Sequence, residues 1–292
     1  MRRLLPSRPG AAFVASALLG TAAAILSVAG LDGQLRADGS KLSEKKTYLG
    51  FDRNEYPGDA ALPVLRQTFS FSGYWLNTPP GAKDNSWTGK REVVKKAGLG
   101  FLLLFNGRLD SEIKKTARPA ELGRSDAQAA VATARREGFP IGSVIFLDQE
   151  EGGRMLPEQK AYIYAWIDGV NGGGYRAGIY CSGVAAADGN VFVVTASDIQ
   201  ENSNGRKIEF WVSNDSCPPS PGCSYSQPPR PSASGIRFAS VWQYAQSPRR
   251  RDFARACSNY IADGNCYPPK LLGERIFVDL DSAESPDPSR GR

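Results

Sequence analysis

Four carboxylates end or adjoin short apolar runs in this chain. Asp52 closes Tyr48-Leu49-Gly50-Phe51-Asp52, Asp148 closes Val144-Ile145-Phe146-Leu147-Asp148 with Glu150 two residues on, and Asp279 follows Phe277-Val278. Side chains alternate along an extended run, so Asp148 and Glu150 share a face while Gln149 points the other way. Carboxylates crowded away from water cannot all ionise cheaply, and at least one is expected to keep its proton. A protonated carboxyl beside a charged one is the division of labour that glycosidic bond cleavage uses. Glu150, expected to be partly buried beside Asp148, is the candidate acid; Glu151 is expected to be a loop acid.

The chain has no histidine. That excludes a Ser-His-Asp triad, a Cys-His pair, a histidine general base and a His-ligated zinc. Six aromatics, Tyr56, Trp75, Tyr180, Trp211, Trp242 and Tyr244, end or follow apolar runs. Their flat faces suit stacking on sugar rings, although at least half are expected to serve ordinary barrel packing. The formal charge is +6, and Arg2, Arg3 and Arg8 supply half of it. The rest of the chain lacks the concentrated basic face that nucleic acid requires, so no nucleic acid partner is expected.

The elements that must position these groups alternate. Strands are predicted at 48–52, 69–75, 100–105, 144–148, 176–180, 209–212, 240–244 and 276–280. Helices are predicted at 57–66, 88–97, 125–137 (with Ser125 as N-cap) and 157–170. Strand-helix alternation with eight strands over one domain predicts an α/β fold, a single (β/α)8 TIM-type barrel. The alternative is an open doubly wound sheet. The later units are expected to be irregular, because Cys217 to Gly235 holds six prolines and no helical pattern. In such a barrel the strand ends ring one mouth, so Asp52, Asp148, Glu150 and Asp279 are expected to converge there. The domain reading is 1–30 signal peptide or N-terminal anchor, 31–46 linker, 47–281 barrel, and 282–292 flexible tail.

Several segments, in order, resemble a known family. Tyr48-Leu49-Gly50-Phe51-Asp52, Phe146-Leu147-Asp148-Gln149-Glu150, Gly178-Ile179-Tyr180-Cys181-Ser182, Val241-Trp242-Gln243-Tyr244 and Val278-Asp279-Leu280 follow the sequence of motifs in glycoside hydrolase family 25 lysozymes. With Tyr56-Pro57-Gly58 after the first motif, the set resembles more closely the bacterial glycoside hydrolase-like domain family related to them. The resemblance spans about Tyr48 to Asp281. It implies a modified barrel acting on cell-wall glycan, with peptidoglycan β-1,4 bonds as the candidate substrate. Glu150 would be the general acid/base, and Asp148 would orient the substrate's acetamido group. Asp52 and Asp279 would bind substrate, and no metal or organic cofactor is implied. Arg53-Asn54 departs from the family 25 pattern, which carries a small residue or Ser shortly after the Asp.

Arg2, Arg3 and Arg8 precede the uncharged run Ala11 to Ala29, the pattern of an export signal or an uncleaved anchor. Either places the domain outside the cytoplasm, periplasmic, cell-surface or secreted, and touching a membrane only through that segment. Export favours disulfides, expected as Cys217–Cys223 and Cys257–Cys266 with Cys181 free in a strand. The functional expectation is an exported, monomeric, lysozyme-like glycoside hydrolase. The alternative is a non-catalytic glycan-binding or structural envelope protein on the same barrel.

Overall fold

The computed structural model describes residues 46–215, 228–246, 276 and 278–292. The segments 1–30 and 31–45, and both expected disulfides, fall outside these residues. Eight strands close a barrel in the order β1 (Tyr48–Asp52), β10 (Asp279–Ala283), β9 (Ala239–Ala245), β8 (Glu209–Ser213), β5 (Arg176–Ser182), β4 (Val144–Asp148), β3 (Gly100–Asn106) and β2 (Phe71–Trp75). Closure excludes the open sheet. Helices α1 (Leu62–Thr68), α2 (Arg91–Lys96), α3 (Asp110–Ile113), α4 (Pro119–Arg136), α5 (Pro157–Gly172) and α6 (Thr195–Glu201) connect the strands up to β8.

Three features depart from the expected regular barrel. A hairpin of β6 (Ala185–Asp188) and β7 (Val191–Val194) stands between β5 and α6. Only a short 3-10 turn, Pro231–Ser234, is described between β8 and β9. Strand β10 begins three residues later than predicted and runs antiparallel to both β1 and β9. Helix α4 also starts earlier than Ser125. Pro119, whose fixed φ suits a first turn, opens it, and Ser125 lies inside.

Glycines inside the barrel make room for its large side chains. A Cβ on Gly50 would lie 2.0 Å from the Phe71 ring, one on Gly178 2.5 Å from the Phe146 ring, and one on Gly73 2.8 Å from the Asp52 Cβ. Phe71, Phe146 and Trp211 fill that space and are fully buried or nearly so. Tyr74 of β2, Phe101 of β3 and Phe139 pack edge to face, with Arg91 of α2 over the two phenylalanines.

The last residues, expected as a loose tail, close the floor. Asp287 accepts the Phe101 N–H at 2.8 Å, and Ser289 Oγ accepts the Leu103 N–H at 2.8 Å. The Ser289 carbonyl takes the Val144 N–H at 2.9 Å, and Arg91 donates to the Gly291 carbonyl at 2.9 Å. These bonds satisfy backbone donors of β3 and β4 that would otherwise face an open barrel end.

Candidate active site

At the opposite end, three aspartates sit just below the rim. Asp52 and Asp279 are direct partners in the antiparallel β1–β10 register. Asp148 ends β4, in register with Asn106 on β3 and Tyr180 on β5. All three are buried. Because β10 is reversed, Asp279 reaches the mouth as the first residue of its strand, not near its end as expected.

Tyr180 links the groups. Its phenol is pushed well above its ordinary range, first by burial and then by the negative charges of Asp148, Asp52 and, more weakly, Glu150. It therefore stays a neutral O–H donor, and it donates to Gln243 Oε1 at 2.8 Å. The Gln243 amide donates in turn to Asp52 Oδ2 at 2.8 Å. One hydrogen-bonded line thus crosses the barrel from β5 through β9 to β1. The two donations also fix which way the Gln243 amide points.

Glu150 lies two residues beyond β4 and is exposed. The expected partial burial does not occur, because the chain has left the strand and turned outward. Glu150 lines a cleft of ≈ 420 Å³ with Asn77, Asn106, Arg108 and Glu112 among its walls. Asn77 and Asn106 brace that wall reciprocally. Asn106 N–H donates to Asn77 Oδ1 at 2.7 Å, and Asn77 Nδ2 donates to the Asn106 carbonyl at 3.1 Å. Glu151, expected as a loop acid, ties the neighbouring loop down by accepting from Asp110 N–H and Gln159 Nε2, each at 2.8 Å.

Arg53 directly follows Asp52 in the chain. Burial pushes its guanidinium down, while Glu55 and then Asp279 oppose that shift. Its side chain is 20% exposed and pairs with Glu55 at 3.5 Å.

The aromatics divide sharply. Trp211 is fully buried between Tyr180 and Phe146, with ring centroids 4.7 and 5.9 Å away. Trp75 is buried and donates its indole N–H to the Arg53 carbonyl at 3.1 Å. Trp242 and Tyr244 flank the inward Gln243, so alternation turns both away from the mouth. Their rings meet 5.8 Å apart, and Trp242 donates to the Asn214 carbonyl. These four are buried in barrel packing. Tyr56 keeps some exposure, but its ring packs edge-on against Trp87 at 5.1 Å, under Lys90. Tyr180 is the remaining part-exposed ring at the mouth.

Two acids were not singled out in the sequence. Asp281, fully buried in β10, is held well above the usual carboxylate range by burial first, then by Asp52 and Asp279. Asp215, after β8, is exposed overall, yet partial desolvation of its carboxylate pushes it up to about 6. The Gln246 N–H opposes that shift and Asp279 adds to it. The spacing Asp279-x-Asp281 could have flagged Asp281, since it repeats the i, i+2 spacing of Asp148 and Glu150.

With this geometry in place, comparison with known proteins is informative. Residues 74–218 match the family described as Rv2525c-like, glycoside hydrolase-like domain. Among solved structures, an uncharacterized protein of B. stearothermophilus has a similar fold. It shows 20% identity and a TM-score of 0.51 over 81% of this chain and 95% of that one. The Tat-secreted protein Rv2525c of Mycobacterium tuberculosis matches at 14% identity and TM-score 0.47, over 82% of this chain and 96% of that one. A family 25 glycosyl hydrolase from Bacillus anthracis matches at 11% identity and TM-score 0.44, over 82% and 89%. No curated protein matches.

Proposed function

This chain carries an Rv2525c-like, glycoside hydrolase-like domain, and from that premise we propose that it is an exported glycoside hydrolase that cleaves cell-wall glycan, with peptidoglycan β-1,4 bonds as the candidate substrate. The observation that carries the proposal is the pairing of buried and exposed carboxylates at one mouth. Asp52, Asp148 and Asp279 are buried there, and Glu150, two residues beyond Asp148, is exposed. Of these four acids Glu150 is the one open to a leaving-group oxygen, so Glu150 is assigned the proton transfer. A sugar seated in the cleft would exclude water around it. Asp148 is assigned to orient the acetamido group, and its negative charge is what an amide in its place would lack. Asp52 and Asp279 bind substrate, and Tyr180 offers the aromatic surface. The run Ala11 to Ala29 behind its arginines supports export, and the acting partner is glycan.

The test is turnover of purified peptidoglycan, read as released reducing ends. Glu150→Gln keeps the shape and removes the transferable proton. The expected loss is on the order of 10²–10⁴-fold in turnover, with glycan binding largely kept. Unchanged turnover in Glu150→Gln would overturn the assignment. A second reading, glycan binding without cleavage, draws on Arg53, which directly follows Asp52 and is acted on by the Asp279 charge. Glycan binding by the wild type with no release of reducing ends would establish it.

A further inference from the structure

Behind the mouth lies a carboxylate that the proposed chemistry does not use. Asp281 is the third residue of β10, on the strand face of Asp279, and its register partners are Gly50 on β1 and Gln243 on β9. It is fully buried. Gly50 brings no side chain to it. Gln243 brings an amide, but that N–H is given to Asp52, while its oxygen accepts from Tyr180 and, at 3.2 Å, from Gln246. Among the described residues, no N–H or O–H donor meets either oxygen of Asp281 at full hydrogen-bond geometry, and the Trp211 indole N–H acts on it only weakly.

Two residues along β1 from its register partner Gly50, on the same strand face, is Asp52, whose carboxylate acts on Asp281. Two charged carboxylates in contact and away from water repel. With one proton between them, the same contact becomes a charge-assisted O–H···O hydrogen bond. The surroundings decide which oxygen keeps the proton. Asp52 already accepts the Gln243 amide, a role for an acceptor. The donor near Asp281 is the neutral Trp211 indole N–H, and its pull towards the charged form is outweighed by burial and by the charges of Asp52 and Asp279.

We propose that Asp281 is a positioning residue of the mouth, a buried carboxylic acid whose O–H bonds to Asp52. Asp52 then stands between two donors, Gln243 and Asp281, with its Cβ packed against Gly73. That arrangement holds Asp52 in one orientation at the point where the proposed site needs a fixed charge. The charged and titratable groups acting on Asp281 are Asp52 from β1 and Asp279 from its own strand. Trp211 from β8 and Gln243 from β9 are neutral, and the leading charges on Asp281 are both negative. The positioning role rests on the glycan-cleaving reading, whereas the proton on Asp281 does not.

Infrared spectroscopy of the whole purified chain reads the proton directly through the carbonyl stretch of a protonated acid. A band is expected at pH 7 in wild type, retained in Asp279→Asn and absent in Asp281→Asn. Asp52→Asn removes the adjacent charge, so its band titrates at lower pH than in wild type. Absence of the band from wild type at pH 7, or its survival in Asp281→Asn, overturns the proposal. If Asp281→Asn does not fold, the wild-type and Asp52→Asn spectra still decide it.

Stability gives a second reading. A raised folded-state value stabilises fully below the unfolded carboxylate value, near ~3.9, and that contribution is lost as pH rises towards the folded value. Wild type should therefore lose stability relative to Asp281→Asn from pH 4 upward, by up to about tenfold in the unfolding equilibrium per pH unit. A difference that stays flat from pH 4 to 8 counts against it. In turnover, Asp281→Asn can still donate to Asp52, so it should exceed Asp281→Ala in kcat with KM little changed. Equal kcat in the two variants rejects the positioning role. If wild type itself turns over no glycan, the glycan reading fails while the infrared result stands.

Discussion

Gln243 is the side chain on which the buried line across the barrel depends, and replacing it by Met tests that line. Gln243 is buried, receives the Tyr180 O–H at 2.8 Å and gives its amide to Asp52 Oδ2 at 2.8 Å. Met keeps the length and most of the volume but can do neither. The neutral bond to Tyr180 is worth about 0.5–1.5 kcal/mol, and the bond to a charged acceptor about 1.5–3 kcal/mol. Gln243→Met should therefore cost roughly 2–4.5 kcal/mol, a large share of the stability of an ordinary domain. Tyr180→Phe removes only the first bond and should cost about 0.5–1.5 kcal/mol. Combined, the two should cost less than their sum, because the Tyr180 bond can be lost only once. Urea denaturation at pH 7 measures each variant, with an unchanged m-value confirming that the unfolding reaction is the same. Gln243→Glu adds a sign test. It replaces a donor with an acceptor beside Asp52, so it should be worse than Met at pH 7 and recover on acidification, when the carboxyl can donate. A Gln243→Met variant within about 0.5 kcal/mol of wild type would refute the idea that this amide holds Asp52.

Two further outcomes test the frame around the site. Gly50→Ala would place a Cβ 2.0 Å from Phe71 Cε2 and 2.3 Å from its Cζ, inside a packed barrel. It should destabilise by about 1–3 kcal/mol, with partial recovery when Phe71→Leu is added, both read by denaturation. No loss would mean the barrel interior is looser than its contacts imply. Cys181, buried in β5 with its thiol pushed up by burial, should resist alkylation at pH 8 in the native protein and react once unfolded. Peptide mapping of the Cys181 fragment reads this, and rapid native labelling would contradict its placement.

The strands that carry Asp52 and Asp148 were legible to the residue, because each apolar run stops where the chain turns to chemistry. Direction was not. Alternation in Val278-Asp279-Leu280 reads the same both ways, so β10 was placed near the right residues with the wrong polarity. The orientation of the aromatics is hidden from the sequence for a related reason. Trp242 and Tyr244 were chosen for what they are, whereas the parity of the strand turned Gln243 between them into the barrel. The tail was misread because a Ser-, Pro- and Asp-rich composition describes local preference only. What orders it are partners on β3 and β4 far away in sequence.

Polarity also explains why two carboxylate pairs of the same spacing meet opposite fates. Asp148 ends a strand that runs towards the mouth, so two residues further on is outward, and Glu150 meets solvent. Asp279 and Asp281 lie on a strand that runs away from it. Two residues further on is then down the barrel, beside Gly50 and beneath Asp52, where water does not reach. The same i, i+2 repeat thus delivers an acid to the rim from β4 and an acid to the interior from β10. A single reversed strand is enough to separate a group that can exchange protons with a ligand from one that can only hold its neighbour in place.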